Sequence, residues 1–273
     1  MTSYLGFLYH QLTYKPRPLP DSLRLDGKTV LVTGSNVGLG LETAKALAAR
    51  GASRVVLGVR SVSKGEEAKR AVVAAAASPS GCDVRVWPLD HEDWASVVAF
   101  AGRAVRELDR GLDVAVLNAG LKRLAYSAAP ATGHEAHVQT NHLGTALLSL
   151  LLLEPLRRAA RRRGGDGGGG SDGPARLTIV ASSVAFFGLP AGAEALLSSS
   201  DGHENVLARL DDPASFGREG APERYALSKL LNVLWARALA ARVDPARDGV
   251  VVDAVNPGYC RSAFHRADPA PRG

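Results

Sequence analysis

Tyr225-Ala226-Leu227-Ser228-Lys229 sets a phenol and an ammonium four residues apart, which brings both to one face of a helix. A free tyrosine titrates near pH ~10, so its phenolate is scarce at neutral pH, and a neighbouring cation stabilises that phenolate and lowers its proton affinity. Such a pair can take a proton from an alcohol or give one to a carbonyl oxygen. Taken alone, a Tyr/Lys pair on a helix is commonly surface decoration, so its meaning depends on what surrounds it. Ser182 and Ser183 follow the apolar run Ile179-Val180-Ala181, where either hydroxyl could donate to a substrate oxygen or simply cap a turn. Asn141 stands inside a long apolar stretch, where an amide is costly unless its hydrogen bonds are met. His134, His137 and His142 share no spacing with a carboxylate or cysteine partner, and proton transfer of this kind requires no metal, so none is expected.

These residues need a frame. After a proline-rich lead-in over residues 1–25, Asp26-Gly27-Lys28 opens an alternation of short β-rich runs with longer helical patterns. That is the form of a Rossmann-type, doubly wound parallel α/β sheet in three αβα layers. Strands are expected at 29–33, 54–59, 84–89, 113–117, 177–181 and 250–255, and helices at 39–50, 66–77, 94–108, 133–163 and 223–243. With 273 residues and 46% hydrophobic content the chain can bury one large core, so a single domain over 26–262 is expected. The glycine-rich stretch 164–174 has no side chains to bury and reads as an inserted surface loop, and 263–273 reads as a disordered tail.

Directly after the first strand stands Thr33-Gly34-Ser35-Asn36-Val37-Gly38-Leu39-Gly40, and a helix follows at once. Glycines at this turn permit positive φ and let backbone N–H groups approach a pyrophosphate, whose charge then sits at the positive end of the helix. At the end of the second strand, where an acid would meet the ribose hydroxyls of NAD, Arg60 stands instead. A guanidinium fits a ribose phosphate bidentately, which favours NADP(H) over NAD. Asp90, after the third strand, reads unaided as an N-cap of the next helix.

The spacing TGxxxGxG resembles the short-chain dehydrogenase/reductase family, and the resemblance runs from about Gly27 to Ser262. Asn118-Ala119-Gly120 after the fourth strand, Asn141 in Thr140-Asn141-His142-Leu143-Gly144, Ser183 after the fifth strand, Tyr225 with Lys229, and Pro257-Gly258 after the sixth follow in the family's order. The resemblance implies a catalytic set of Asn141, Ser183, Tyr225 and Lys229, in which the second serine is the substrate donor and Asn141 holds a backbone carbonyl and a relay water. It implies that Asp90 holds the adenine amino group, that Asn118 braces the sheet, and that Ser262 contacts the carboxamide or pyrophosphate. Cofactor contacts are expected from Thr33 to Gly40 and at Arg60, Asp90, Asn118, Ala119, Gly120, Tyr225, Lys229, Pro257, Gly258 and Ser262. The implied reaction is NADP(H)-dependent hydride exchange between an alcohol and a carbonyl on a small molecule. Phrasing such as Gly38-Leu39-Gly40-Leu41-Glu42 looks like the retinol dehydrogenase and fungal secondary-metabolism branch. The chain ends eleven residues after Ser262, where the family normally continues, so a fold shortened at its C-terminus is expected. The rival reading is a truncated cofactor-binding protein with little chemistry, which needs the glycines but not the phenol.

A net charge of +6 and a pI near 9.5 invite a nucleic-acid reading, but no zinc-finger or RNA-binding signature accompanies the arginines, and the run from Arg157 to Arg163 reads as a solvated helix end. Cys82 and Cys260 form no metal or disulfide spacing, which points to a reducing, cytoplasmic setting and to small buried thiols. Tyr4 to Tyr9 is apolar but too short to span a bilayer. It reads as a tail packed over the domain, in preference to a segment touching a membrane surface, and no stable insertion is expected. A homodimer is the arrangement an uncovered sheet edge would invite.

Overall fold

The computed structural model describes residues 4–15, 17–20, 22–165, 173–186, 205–216, 220–258 and 260. Six strands form one sheet: β1 (Thr29–Thr33), β2 (Arg54–Val59), β3 (Asp83–Pro88), β4 (Val114–Leu117), β5 (Ala175–Val180) and β6 (Val250–Val255). All neighbours pair in parallel, in the order β3-β2-β1-β4-β5-β6. The chain winds outward from β1 to β3, then crosses back to lay β4 against β1, and that reversal opens a crevice at the carboxyl ends of β1 and β4.

Strand sequences such as Thr-Val-Leu-Val-Thr are apolar without alternation because both faces are covered. Successive side chains point to opposite faces. Val30, Val32, Val55 and Leu57 pack against α2 (Gly38–Ala49) and α3 (Val62–Ala75) through Ala44, Ala48, Ala68 and Val72. Leu31, Val56, Leu117, Leu177 and Ile179 pack on the other face with Val97, Phe100, Leu148 and Leu156. Those come from α4 (Trp94–Glu107), α5 (Gly144–Leu151) and α6 (Leu153–Gly165), joined there by α8 (Ala221–Ala240) through Ala236 and Leu239. The expected three-layer αβα order is the observed one.

Three local expectations need correcting. The helix expected without interruption over 133–163 consists of a π-helical stretch at Val138–Leu143, then α5, then a break at Leu152 before α6. Pro155 lies in the first turn of α6, where its missing N–H costs nothing, whereas inside one continuous helix it would leave a carbonyl unmet. The third helix starts four residues earlier than expected, because the Ser61 hydroxyl accepts from the Lys64 N–H as its cap. The arginines of α6 are not merely solvated. Arg157 pairs with Asp248 at 3.0 Å, and Arg158 donates to the Val105 and Leu108 carbonyls at the C-terminus of α4. Arg162 reaches the Arg110 carbonyl and lies 3.5 Å from Asp113.

Sequence reading gave no element between β5 and α8, yet α7 (Val206–Asp211) and a 3₁₀ turn at Pro213–Phe216 stand there. The last short helix is α9 (Pro245–Asp248). At the other end, α1 (Tyr4–Thr13) is a helix whose Leu5, Tyr9 and Leu12 are exposed, while its Gln11 lies beside Gly258. Cys82 and Cys260 are half-buried rather than buried. Residues 166–172 of the glycine-rich stretch, the tail 263–273 and Ser262 lie outside the described residues.

Candidate active site

In a parallel sheet every strand ends on the same edge, and the expected site residues follow the carboxyl ends of all six. Thr33 ends β1, Arg60 follows β2, Asp90 follows β3, Asn118 follows β4, Ser183 follows β5, and Asn256-Pro257-Gly258 follows β6.

The turn after β1 is built by backbone and small residues. The Thr33 hydroxyl accepts from the N–H groups of Asn118 and Ala119 at 3.0 and 2.9 Å, and the Asn118 amide donates to the carbonyls of Thr33 and Gly34 at 3.0 and 3.3 Å. Asn118 therefore ties β4 to this turn. Gly34 holds φ +63°, and a Cβ there would meet the Ala119 Cα at 2.9 Å. A Cβ on Gly40 would stand 2.6 Å from the Asn118 amide nitrogen. Between them, Ser35, Asn36, Val37, Gly38 and Leu39 carry the chain into α2, whose N-cap Val37 offers no side-chain bond to the first-turn N–H groups. The Ser35 hydroxyl is buried with no hydrogen-bond partner among the described residues. A concave backbone, an uncapped helix start and an orphaned hydroxyl fit the pyrophosphate of a dinucleotide.

Arg60 is exposed. Asp90 is not the N-cap of α4; Asp93 is, accepting from the Ala95 N–H at 2.9 Å. Asp90 instead accepts from the Glu92 N–H, and its own N–H donates to the Ser96 hydroxyl, so its carboxylate is fixed in a short turn at the strand end.

Tyr225 and Lys229 lie on α8 near its N-terminus, and the ammonium nitrogen stands 5.8 Å from the centre of the phenol ring. Lys229 is buried and donates to the Val180 carbonyl at 2.9 Å. Burial drives its pKa down to about 8, because the site offers few dipoles to replace water around the charge. The spacing of Tyr225 and Lys229 predicts that the lysine lowers the proton affinity of the phenol. Burial wins instead and pushes Tyr225 up to about 12, while a hydrogen bond with Ser182 pulls it the other way.

Asn141, in the π-helical stretch, is fully buried, and its side chain is saturated. Its oxygen accepts from the Leu121 N–H at 2.7 Å, and its nitrogen donates to the Leu121 carbonyl and to the Ser228 hydroxyl at 3.0 and 2.9 Å. Ser228 in turn donates to the Tyr225 carbonyl at 2.7 Å. The amide is thus a rivet between the segment after β4 and the helix that carries the phenol. A Cβ on Gly120 would lie 3.2 Å from the Asn141 oxygen and 3.5 Å from the Lys229 nitrogen, which brings all three together.

The two serines divide their tasks. Ser183 is buried, opens a 3₁₀ turn, and donates its N–H to the Asn256 side chain at 3.1 Å. Ser182 accepts from the Val184 N–H and is the serine bonded to Tyr225. The resemblance chose Ser183, and Ser182 is a partner of the phenol that it passed over. Asn256 also accepts from the Gly258 N–H, and Gly258 takes φ +73° to turn the chain after β6.

A second group of side chains was not foreseen. Glu135 and His137 are both fully buried and paired at 2.8 Å, and the other ring nitrogen of His137 accepts from the Arg123 N–H, which leaves the proton on the nitrogen facing Glu135. Asp211 accepts from the Glu135 N–H and holds His134 at 2.8 Å. Arg224, next to Tyr225, donates to the Leu210 carbonyl and the Ser215 hydroxyl and lies over the Phe216 ring. This network fastens the segment 205–216 to the helix bearing the phenol. His142 meets Asn232, so each of the three histidines has a protein partner.

The family model for short chain dehydrogenase matches residues 28–166. The short chain dehydrogenase sol3 of Alternaria solani is 52% identical over 99% of this chain and 85% of that protein. Retinol dehydrogenase 12 of Homo sapiens is 34% identical over 97% of this chain and 73% of that protein. Among solved structures, the Pseudomonas aeruginosa RhlG/NADP active-site complex is 25% identical with a TM-score of 0.64, covering 92% of this chain and 81% of that one. The likeness therefore spans nearly the whole chain in sequence as well as in fold, and the chain belongs to the short-chain dehydrogenase/reductase family of oxidoreductases.

Proposed function

We propose that the protein reduces a carbonyl on a small molecule to an alcohol with NADPH, or runs the reverse, with Tyr225 as the proton-transferring residue. One observation carries this reading: Tyr225, Lys229, Asn141 and Gly120 converge beside the carboxyl ends of β4 and β5, next to a dinucleotide-shaped turn. When bound, the nicotinamide supplies the hydride or accepts it. Tyr225 gives its hydroxyl proton to the carbonyl oxygen as the carbonyl carbon gains the hydride. A phenol held near 12 keeps that proton at neutral pH, which suits an acid for reduction better than a base for oxidation. Lys229 and the Ser182 hydroxyl stabilise the phenolate left behind, and Ser183 donates to the substrate oxygen. Asn141 positions α8 and, as the resemblance implies, holds a backbone carbonyl and a water that relays protons to Lys229.

Arg60 supports NADP(H) over NAD, being an exposed cation where a ribose phosphate would arrive. The solved neighbour carrying NADP and the short chain dehydrogenase at 52% identity support a nicotinamide cofactor. The test is cofactor turnover by the full chain across a panel of aldehydes and ketones, with NADPH and NADH in parallel. NADPH oxidation with at least one carbonyl, faster than with NADH, is expected. Tight cofactor binding with no turnover on any member would favour a cofactor-binding protein instead.

A further inference from the structure

We propose that α1 is an interfacial helix that docks the protein on an anionic lipid surface. Leu5, Leu8, Tyr9 and Leu12 recur at the spacing of one helix face, falling within an arc of roughly 100°. They are 77%, 37%, 71% and 85% exposed. A soluble domain rarely leaves four large apolar side chains aligned on one helix. Gln11, off that stripe, is the side that meets the body, its amide oxygen 2.5 Å from where a Cβ on Gly258 would stand. The stripe is thus left outward while the helix is held beside the turn after β6.

The charge around the stripe selects the occupant. The first twenty residues contain no Asp or Glu, and Lys15 and Arg17, both exposed, follow the helix directly. Basic residues flanking a short amphipathic helix attract anionic headgroups, and tyrosines such as Tyr9 and Tyr14 suit the boundary between headgroup and acyl chain. A second copy fits less well, since stripe-to-stripe pairing sets Lys15 and Arg17 beside their own kind on a chain of net charge +6. Ten helical residues reach about 15 Å, half a bilayer core, so the helix lies in the surface and does not cross it.

The experiment is co-sedimentation of the full chain with vesicles of phosphatidylcholine alone or mixed with phosphatidylserine, at low and physiological salt. The parent should sediment with the anionic vesicles, at least about tenfold more weakly with neutral ones, and less as salt rises. Leu5→Ser/Leu12→Ser and Lys15→Glu/Arg17→Glu should each weaken partitioning at least about tenfold with an unchanged thermal midpoint. If the first pair disturbs folding, the second, confined to exposed side chains, carries the test alone. The proposal is overturned if the parent stays in the supernatant or if the variants sediment like it. It is equally overturned if sedimentation velocity shows a dimer that Leu5→Ser/Leu12→Ser disperses while no vesicle binds.

Discussion

The turn from Thr33 to Gly40 and the ground between Glu135 and Arg224 are built by opposite means. The turn is made of backbone: glycines where a Cβ would collide, main-chain bonds from Asn118 and Ala119 to Thr33, and the start of a helix. The other side is made of charged and polar side chains, the buried pair Glu135 with His137, the half-buried pair Asp211 with His134, and Arg224 bonded to the 205–216 segment. A backbone site binds what every relative must bind and leaves little trace of a particular substrate. A side-chain network can be re-cut residue by residue, so it is where substrate preference has room to change.

That difference can be broken deliberately. The largest expected effect is at Arg224→Ala, which strips donors from the buried Leu210 carbonyl and the Ser215 hydroxyl and removes the cation over the Phe216 ring. A hydrogen bond to a charged group contributes about 1.5–3 kcal/mol, and two are lost here. Denaturant unfolding should register that loss. A cost within about 1 kcal/mol would mean that the network is not what fixes the 205–216 segment.

A smaller effect is expected from pH. Burial depresses Lys229 from 10.5 to about 8, so between those values the unfolded chain binds a proton that the folded one has released. Stability of the cofactor-free protein should therefore rise with pH across that window. Tyr225, raised from 10.0 to about 12, acts with the opposite sign above pH 10, since the unfolded phenol ionises first. The thermal midpoint should climb more between pH 8 and 10 in the parent than in Lys229→Met. Parallel curves for the two proteins would show that Lys229 is protonated alike in both states.

The smallest effect on the fold is expected on the backbone-built side. Arg60 is exposed, and on the proposed reading it meets the cofactor phosphate. Arg60→Ala should erase most of the preference for NADPH over NADH in a fluorescence titration and leave the thermal midpoint where it was. Equal affinities in the parent would remove the basis for naming NADP(H).

The same contrast explains what could be read from the sequence. The ranges of β1 and β2 coincide with the expected ones, because strands covered on both faces leave a run of Val and Leu. The glycine turn was legible because its geometry forbids side chains. The π-helical stretch carrying Asn141 was not, since an extra residue in a turn leaves no period in the pattern. Nor was the bond between Ser182 and Tyr225, because two adjacent serines offer the same hydroxyl and only the fold orients them. The pairs Glu135/His137 and Asp211/His134 escaped for another reason. Asp211 lies 77 residues from His134 along the chain, and an acid read alone looks like surface.

The most direct measurement compares Tyr225→Phe with Lys229→Met in carbonyl turnover and in NADPH affinity. The first removes one oxygen and keeps the ring, so turnover should fall by at least about a hundredfold while NADPH binds within a few-fold of the parent. The second removes a buried ammonium that lies against Val180 and Gly120 beside the cofactor turn, so turnover and affinity should fall together. Turnover in Tyr225→Phe within about tenfold of the parent on the best substrate would contradict the assignment of Tyr225 as the proton donor.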